Sequence, residues 1–163
     1  MKNMKKVTIL FILLISATTM LQAQTPLVTE IESSADKVWE QIRKMDNIDE
    51  LSSFVSKVQW KGPKGIGGER VCTSADGNGY FKEKITGFDD KTRTYSYQVI
   101  EGVPAKNMNN MIKVVDLGFN KSMIVWTSNY EFVENPNMTK EQFDGFITSA
   151  RVEMVENIIK LVK

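Results

Sequence analysis

The run 139–163 constrains this chain most, because it is the longest stretch of unbroken helical periodicity and it follows a series of short strand-like segments. Thr139 is a favourable N-cap and Gln142 stands three residues later, the spacing of a capping box. Phe143, Ile147, Ala150, Met154, Ile158 and Leu161 recur at steps of four and three, which places them on one face of a helix. Phe146, Val155, Ile159 and Val162 widen that stripe. Lys140, Glu141, Asp144, Arg151, Glu156 and Lys160 supply the expected solvated side. Gly145 is the weak interior residue, placed there either by a close approach to another element or without a packing role. A helix with so broad an apolar stripe has to lie against something.

The preceding segments supply the partner. Residues 27–32 alternate polar and apolar side chains, as a half-buried strand does, and Ser33-Ser34 can cap a helix over 35–44 that buries Val38, Trp39, Ile42 and Met45. A second short helix is expected within 47–54. Strands follow over 55–61, 69–74, 80–88, 93–100, 108–119 and 122–133, separated by turn residues such as Asp76-Gly77-Asn78-Gly79 and Asn120-Lys121. The glycine-rich segment 62–68 lacks the Gly-Lys-Ser/Thr ending of a phosphate loop and reads as a turn. Consecutive strands on short turns make an antiparallel sheet, and its apolar face needs a cover. Only the C-terminal helix is long enough to be that cover.

The chain has 163 residues, 42% hydrophobic and 25% charged, which suits a single domain with a real core. Its start reads differently. Lys2, Lys5 and Lys6 precede an apolar run over 7–15, and small and polar residues continue to Ala23, the pattern of a secretory signal peptide cleaved after that alanine. The expected division is therefore a signal peptide over 1–23 and one domain over 24–163, secreted or periplasmic. The apolar run is shorter than the roughly 20 residues of a membrane-spanning helix, so no integral membrane segment is expected after cleavage. Removing 1–23 takes three lysines and no acids from 21 basic and 20 acidic residues, leaving a charge of about −2. Such a balance offers no electrostatic footprint for nucleic acid.

Cys72 is the single cysteine and histidine is absent. An internal disulfide is therefore impossible, the usual general base is missing, and no zinc site can be assembled. No cofactor and no metal are expected. The composition leaves the oligomeric state open.

Several local patterns together resemble the superfamily of START lipid-transfer domains, polyketide cyclases and birch-allergen-like proteins. They are the helix start Ser34-Ala35-Asp36-Lys37-Val38-Trp39, Gly67-Gly68-Glu69-Arg70-Val71, Glu83 in mid-strand, Arg93-Thr94-Tyr95-Ser96-Tyr97, Gly102-Val103-Pro104 and Trp126. What the resemblance implies is an α+β helix-grip fold. In it a curved seven-stranded antiparallel sheet wraps a long C-terminal helix, with two short helices after the first strand. It also implies a cavity for a hydrophobic small molecule, in members that range from carriers to cyclases.

Strand parity nominates the wall independently. Tyr97 and Val99 share one face; so do Trp126, Ser128, Tyr130 and Phe132, and Phe81, Glu83 and Ile85. A carboxylate on an apolar face needs a partner, and Arg70 on the adjacent strand is the nearest cation. The pair reads as a structural ion pair, as an anchor for a ligand's polar group, or as acid/base machinery. Trp60, Tyr97, Trp126 and Tyr130 read equally as core or as cavity wall, and Cys72 as a small buried hydrophobe. On 108–119 both Met111/Val115 and Ile112/Val114 are apolar, which leaves the facing open. The ligand-binding candidates are thus Trp60, Arg70, Cys72, Phe81, Glu83, Tyr97, Val99, Trp126 and Tyr130 on the sheet, with Phe143 and Ile147 on the helix. No catalytic set stands out. A binding protein for a hydrophobic or amphipathic small molecule is the expected function, with a polyketide cyclase or dehydratase-like enzyme built on Glu83, Tyr97 and Tyr130 as the alternative.

Overall fold

A computed structural model describes residues 26–163, so the expected signal peptide over 1–23 lies outside the described residues. Seven antiparallel strands run β1 (Leu27–Ile31), β2 (Val55–Lys61), β3 (Glu69–Ser74), β4 (Tyr80–Asp89), β5 (Thr94–Glu101), β6 (Ala105–Gly118) and β7 (Lys121–Phe132). Three helices complete the described residues: α1 (Ala35–Ile42), α2 (Ile48–Leu51) and α3 (Lys140–Val162). The sheet order is β1-β7-β6-β5-β4-β3-β2, so a meander from β2 to β7 is closed by the first strand on its far side. Register shifts between Ile85 and Gly87, and between Lys106 and Asn109, put extra residues into single strands. Such bulges increase twist and bend a sheet. The concave face holds α3.

The expected elements are present, with informative differences at their ends. Helix α1 stops at Ile42 rather than continuing to residue 44, because Met45 turns back in the left-handed region at φ 61°. Strand β6 begins at Ala105, three residues before the expected start, because pairing with β7 resumes beyond a bulge between Lys106 and Asn109, where Asn107 takes φ 52°. No helix among the described residues is long and apolar enough to cross a membrane.

Helix α3 starts as its sequence requires. The Thr139 hydroxyl accepts from Gln142 N at 3.3 Å, and Thr139 N donates to Gln142 Oε1 at 2.9 Å. Its far end is tied down by Ser33 Oγ, which donates to the Val162 carbonyl at 3.0 Å. Between these points the buried face is Phe143, Arg151, Met154, Val155, Ile158 and Val162. This corrects the expected stripe. Leu161 and Phe146, expected on it, are 54% and 38% exposed, while Arg151, expected in solvent, is buried. Steps of four from Phe143 through Ile147 reach 151 as readily as a step of three reaches 150, and both Ala150 and Arg151 line the space beneath the helix. A Cβ on Gly145 would meet nothing within 4 Å, so no close approach explains that glycine.

Candidate functional site

Parity on the strands decides what α3 faces. Strand β7 turns Ser122, Ile124, Trp126 and Ser128 inward, and the pairing Asn110↔Ser128 and Ile112↔Trp126 puts Met108, Asn110, Ile112 and Val114 of β6 on the same side. That settles the strand whose facing was open. On β3 and β4, Arg70 pairs directly with Glu83, and both are buried.

Beneath the middle of α3 these faces leave a hollow. Its volume is about 90 Å³, and it opens to solvent at the mouth. A single water needs roughly 10–15 Å³, and a drug-sized site is on the order of 300–1,000 Å³. The hollow therefore takes a small molecule, or the head of a longer one. Phe54 and Phe146 stand at the rim with their rings edge to face, 5.0 Å apart, each 38% exposed.

Seven of the candidate residues line this space. Arg70, Phe81, Glu83, Tyr97, Val99 and Trp126 come from the sheet, and Ile147 from α3. The other four do not line it. Trp60 is half-buried beyond its edge, where the indole nitrogen donates to the Gly62 carbonyl at 3.2 Å and Lys64 Nζ lies 4.4 Å from the ring centroid. Cys72 is sealed behind the wall. Burial first, and the Glu83 carboxylate second, push its thiol up to about 12, which removes it as a nucleophile at ordinary pH. Phe143 packs against Tyr130 and Phe132 at the closed end, with centroids 5.1 and 5.9 Å away. The Tyr130 hydroxyl donates to Asp144 Oδ1 at 2.7 Å. Phe143 and Tyr130 thus pack against each other instead of lining the cavity.

Two arginines reach the cavity, and their surroundings differ. Arg70 Nε donates to Glu83 Oε2, its Nη1 donates to the Met45 carbonyl, and its guanidinium carbon lies 4.9 Å from the Tyr97 ring centroid. Burial opposes that charge, but the Glu83 carboxylate and the Tyr95 phenol more than offset it and hold its pKa well above the ordinary value. The left-handed turn at Met45 has its use here, since it offers the carbonyl that Arg70 meets.

Arg151 has no such company. Its residue is 6% exposed, its Nε makes one long bond to the Ile147 carbonyl at 3.4 Å, and its Nη1 has no partner. No carboxylate among the described residues lies within ion-pair distance of it. Burial lowers its pKa. Asn110 Nδ2 and Trp126 Nε1, on residues that line the same space, are also buried without partners. Burial pushes the Tyr97 phenol well above its usual value, with Glu83 the next cause, so it stays protonated.

Sequence reasoning missed Arg151 and Asn110. Arg151 was signalled by its place four residues after Ile147 and four before Val155, and Asn110 by its place two residues before Ile112.

A bent antiparallel sheet closed over a long C-terminal helix, with a hollow between them, defines a helix-grip protein of the birch-allergen-like superfamily. Within it, the chain belongs to the family described as polyketide cyclase/dehydrase and lipid transport, whose model matches residues 22–159. Solved structures similar to it include XoxI from Bacillus cereus, at 20% identity and a TM-score of 0.75, covering 86% of this chain and 96% of that one. Another is an uncharacterised protein from Bacillus thuringiensis, at 19% identity and a TM-score of 0.71, covering 83% and 96%. A third is norcoclaurine synthase from Thalictrum flavum in complex with dopamine and hydroxybenzaldehyde, at 24% identity and a TM-score of 0.69, covering 85% and 84%. At these identities the likeness is one of fold. No curated protein matches the chain.

Proposed function

We propose that this chain is a binding protein for a hydrophobic or amphipathic small molecule held between the sheet and α3, working outside the cytoplasm as a secreted or periplasmic protein. The observation that carries the reading is the hollow under α3, whose walls are largely apolar: Phe81, Val99, Val103, Met108, Ile147 and Met154. Apolar walls with a few placed polar groups are what a small-molecule site requires. The family description includes lipid transport, and the Thalictrum flavum relative of similar fold holds two small aromatic molecules, which supports a site of this class.

The family description also supports a cyclase or dehydratase, which would fold a reactive chain in the cavity and use Glu83, Tyr97 or Tyr130 as acid or base. Carriage fits the geometry better. Glu83, the one carboxylate lining the cavity among the described residues, is engaged by Arg70. Tyr97 is held protonated, and Tyr130 lies outside the cavity with its hydroxyl on Asp144.

Native mass spectrometry of the exported protein, followed by thermal-shift screening against lipids, isoprenoids and aromatic polyketides, tests the proposal. The expected spectrum carries a non-covalent apolar adduct on a chain that has lost residues 1–23. No adduct and no shift with any of these classes would overturn it. For the enzyme reading, unchanged turnover of an identified substrate by Glu83→Gln removes Glu83 from the chemistry.

A further inference from the structure

The cavity holds a charge that the fold leaves without a counterpart. A buried, unpaired cation is costly, and replacing one by an apolar side chain of similar volume is generally stabilising. Folding energy therefore gives no reason for arginine at 151, in the middle of a helix face that otherwise buries Phe143, Met154, Val155 and Ile158. Arg70 shows how this same cavity treats an arginine that serves the fold: it is given Glu83 and the Met45 carbonyl. Nothing in the described chain does this for Arg151 Nη1.

The unsatisfied groups on residues that line the cavity have the same polarity; the unpartnered hydroxyls of Ser122 and Ser128 belong to residues that do not line it. A guanidinium and an indole N–H donate only, and the Asn110 amide presents its unpartnered nitrogen, so a molecule completing the site has to bring acceptors. A cationic amine would add a second uncompensated charge beside Arg151. One guanidinium balances one negative charge, and a dianionic phosphate would leave the other unpaired in a low-dielectric space. A carboxylate fits both requirements, since its two oxygens match the guanidinium fork. Apart from Ser52, Tyr97 and the Arg70–Glu83 pair, whose charges answer each other, the remaining walls are apolar, and Phe54 and Phe146 stand at the mouth.

We infer that Arg151 is the anchor of an acid-binding site: the cavity takes a monocarboxylic acid with an apolar body, its carboxylate on the Arg151 guanidinium, with Asn110 and Trp126 as further donors. This rests on the cavity being the ligand site, and the experiment separates the two claims.

Binding of phenylacetate and octanoate is compared with that of their uncharged counterparts, methyl phenylacetate and octan-1-ol, by calorimetry on the parent protein, Arg151→Met and Arg151→Lys. The parent is expected to prefer each acid by roughly 10- to 100-fold, the worth of a buried bond to a charged group. Arg151→Met should lose that preference, keep its affinity for the neutral compounds and melt at a higher temperature than the parent when empty. Arg151→Lys should retain part of the preference, since it keeps the charge and loses the fork. Equal binding of acids and neutral compounds by the parent overturns the acid site and leaves the cavity reading standing. Acid preference undiminished in Arg151→Met overturns the role of Arg151; should that variant not fold, a preference in Arg151→Lys as large as the parent's does the same. Binding of none of the four overturns both claims.

Discussion

Glu83→Ala is expected to destabilise the protein by about 3–5 kcal/mol, the usual consequence of leaving one member of a buried ion pair alone. The side chains of Arg70 and Glu83 are 2% and 6% exposed, so bulk water is a poor substitute for the lost carboxylate. Arg70 cannot turn away to find water either. Its guanidinium is held against the Tyr97 ring and by the Met45 carbonyl. The charge would therefore stay buried and unmatched, next to a cavity that already contains Arg151. Urea unfolding of the parent and the variant checks this, and the double variant Arg70→Met/Glu83→Leu is the control. Removing both charges should recover most of the loss, because two apolar side chains need no partner. A loss below about 1 kcal/mol in Glu83→Ala would place the pair among solvated surface bridges, contrary to its burial.

The second large effect contrasts two phenylalanines one helical turn apart. Phe143→Ala is expected to cost about 3–5 kcal/mol, the range for emptying a filled aromatic site. Phe143 is 1% exposed and wedged between Tyr130 and Phe132 where α3 meets the sheet. That closed end cannot collapse easily, since the Tyr130–Asp144 and Lys140–Asp144 bonds fix the first turn of the helix over it. Phe146 sits at the rim of the cavity and touches Phe54. Phe146→Ala should cost no more than about 1 kcal/mol, an edge-to-face contact and part of a side chain's burial, while widening the mouth. Similar losses in the two variants would mean that α3 is rotated from the orientation described.

That rotation is where the sequence was most ambiguous. The capping box at Thr139 and Gln142, the parity of β7 and the shared face of Arg70 and Glu83 were legible because each rests on a short-range rule. Spacing of three or four marks a helix face, and spacing of two marks a strand face. On α3 the rule admits two solutions that share Phe143, Ile147, Met154 and Ile158. Choosing by polarity takes Ala150 and Leu161 and leaves Arg151 in solvent; the folded chain keeps Ala150, buries Arg151 beside it and exposes Leu161. Polarity misleads at that point because the helix covers a cavity wall, where a charge can be wanted. Strand β6 is similar. With apolar residues on both faces, its parity can be fixed only by pairing with β7, and Asn110 becomes visible only then. Trp60, Phe143 and Tyr130 were nominated as wall because an inward-facing aromatic residue has the same signature whether it packs or lines. Which of these it does depends on the local distance between helix and sheet, and no single-chain periodicity encodes that distance.

The central claim is that small molecules bind under the middle of α3. Methyl NMR of the protein labelled at the methionine methyl groups tests it directly, with octanoate as the ligand. Met108 and Met154 line the cavity, whereas Met138 lies in a separate open groove beside Phe132 and Lys140. Titration is expected to shift the Met108 and Met154 methyl signals together and saturably, leaving Met138 in place. Shifts confined to Met138, or no change at Met108 and Met154 at saturation, would contradict the account.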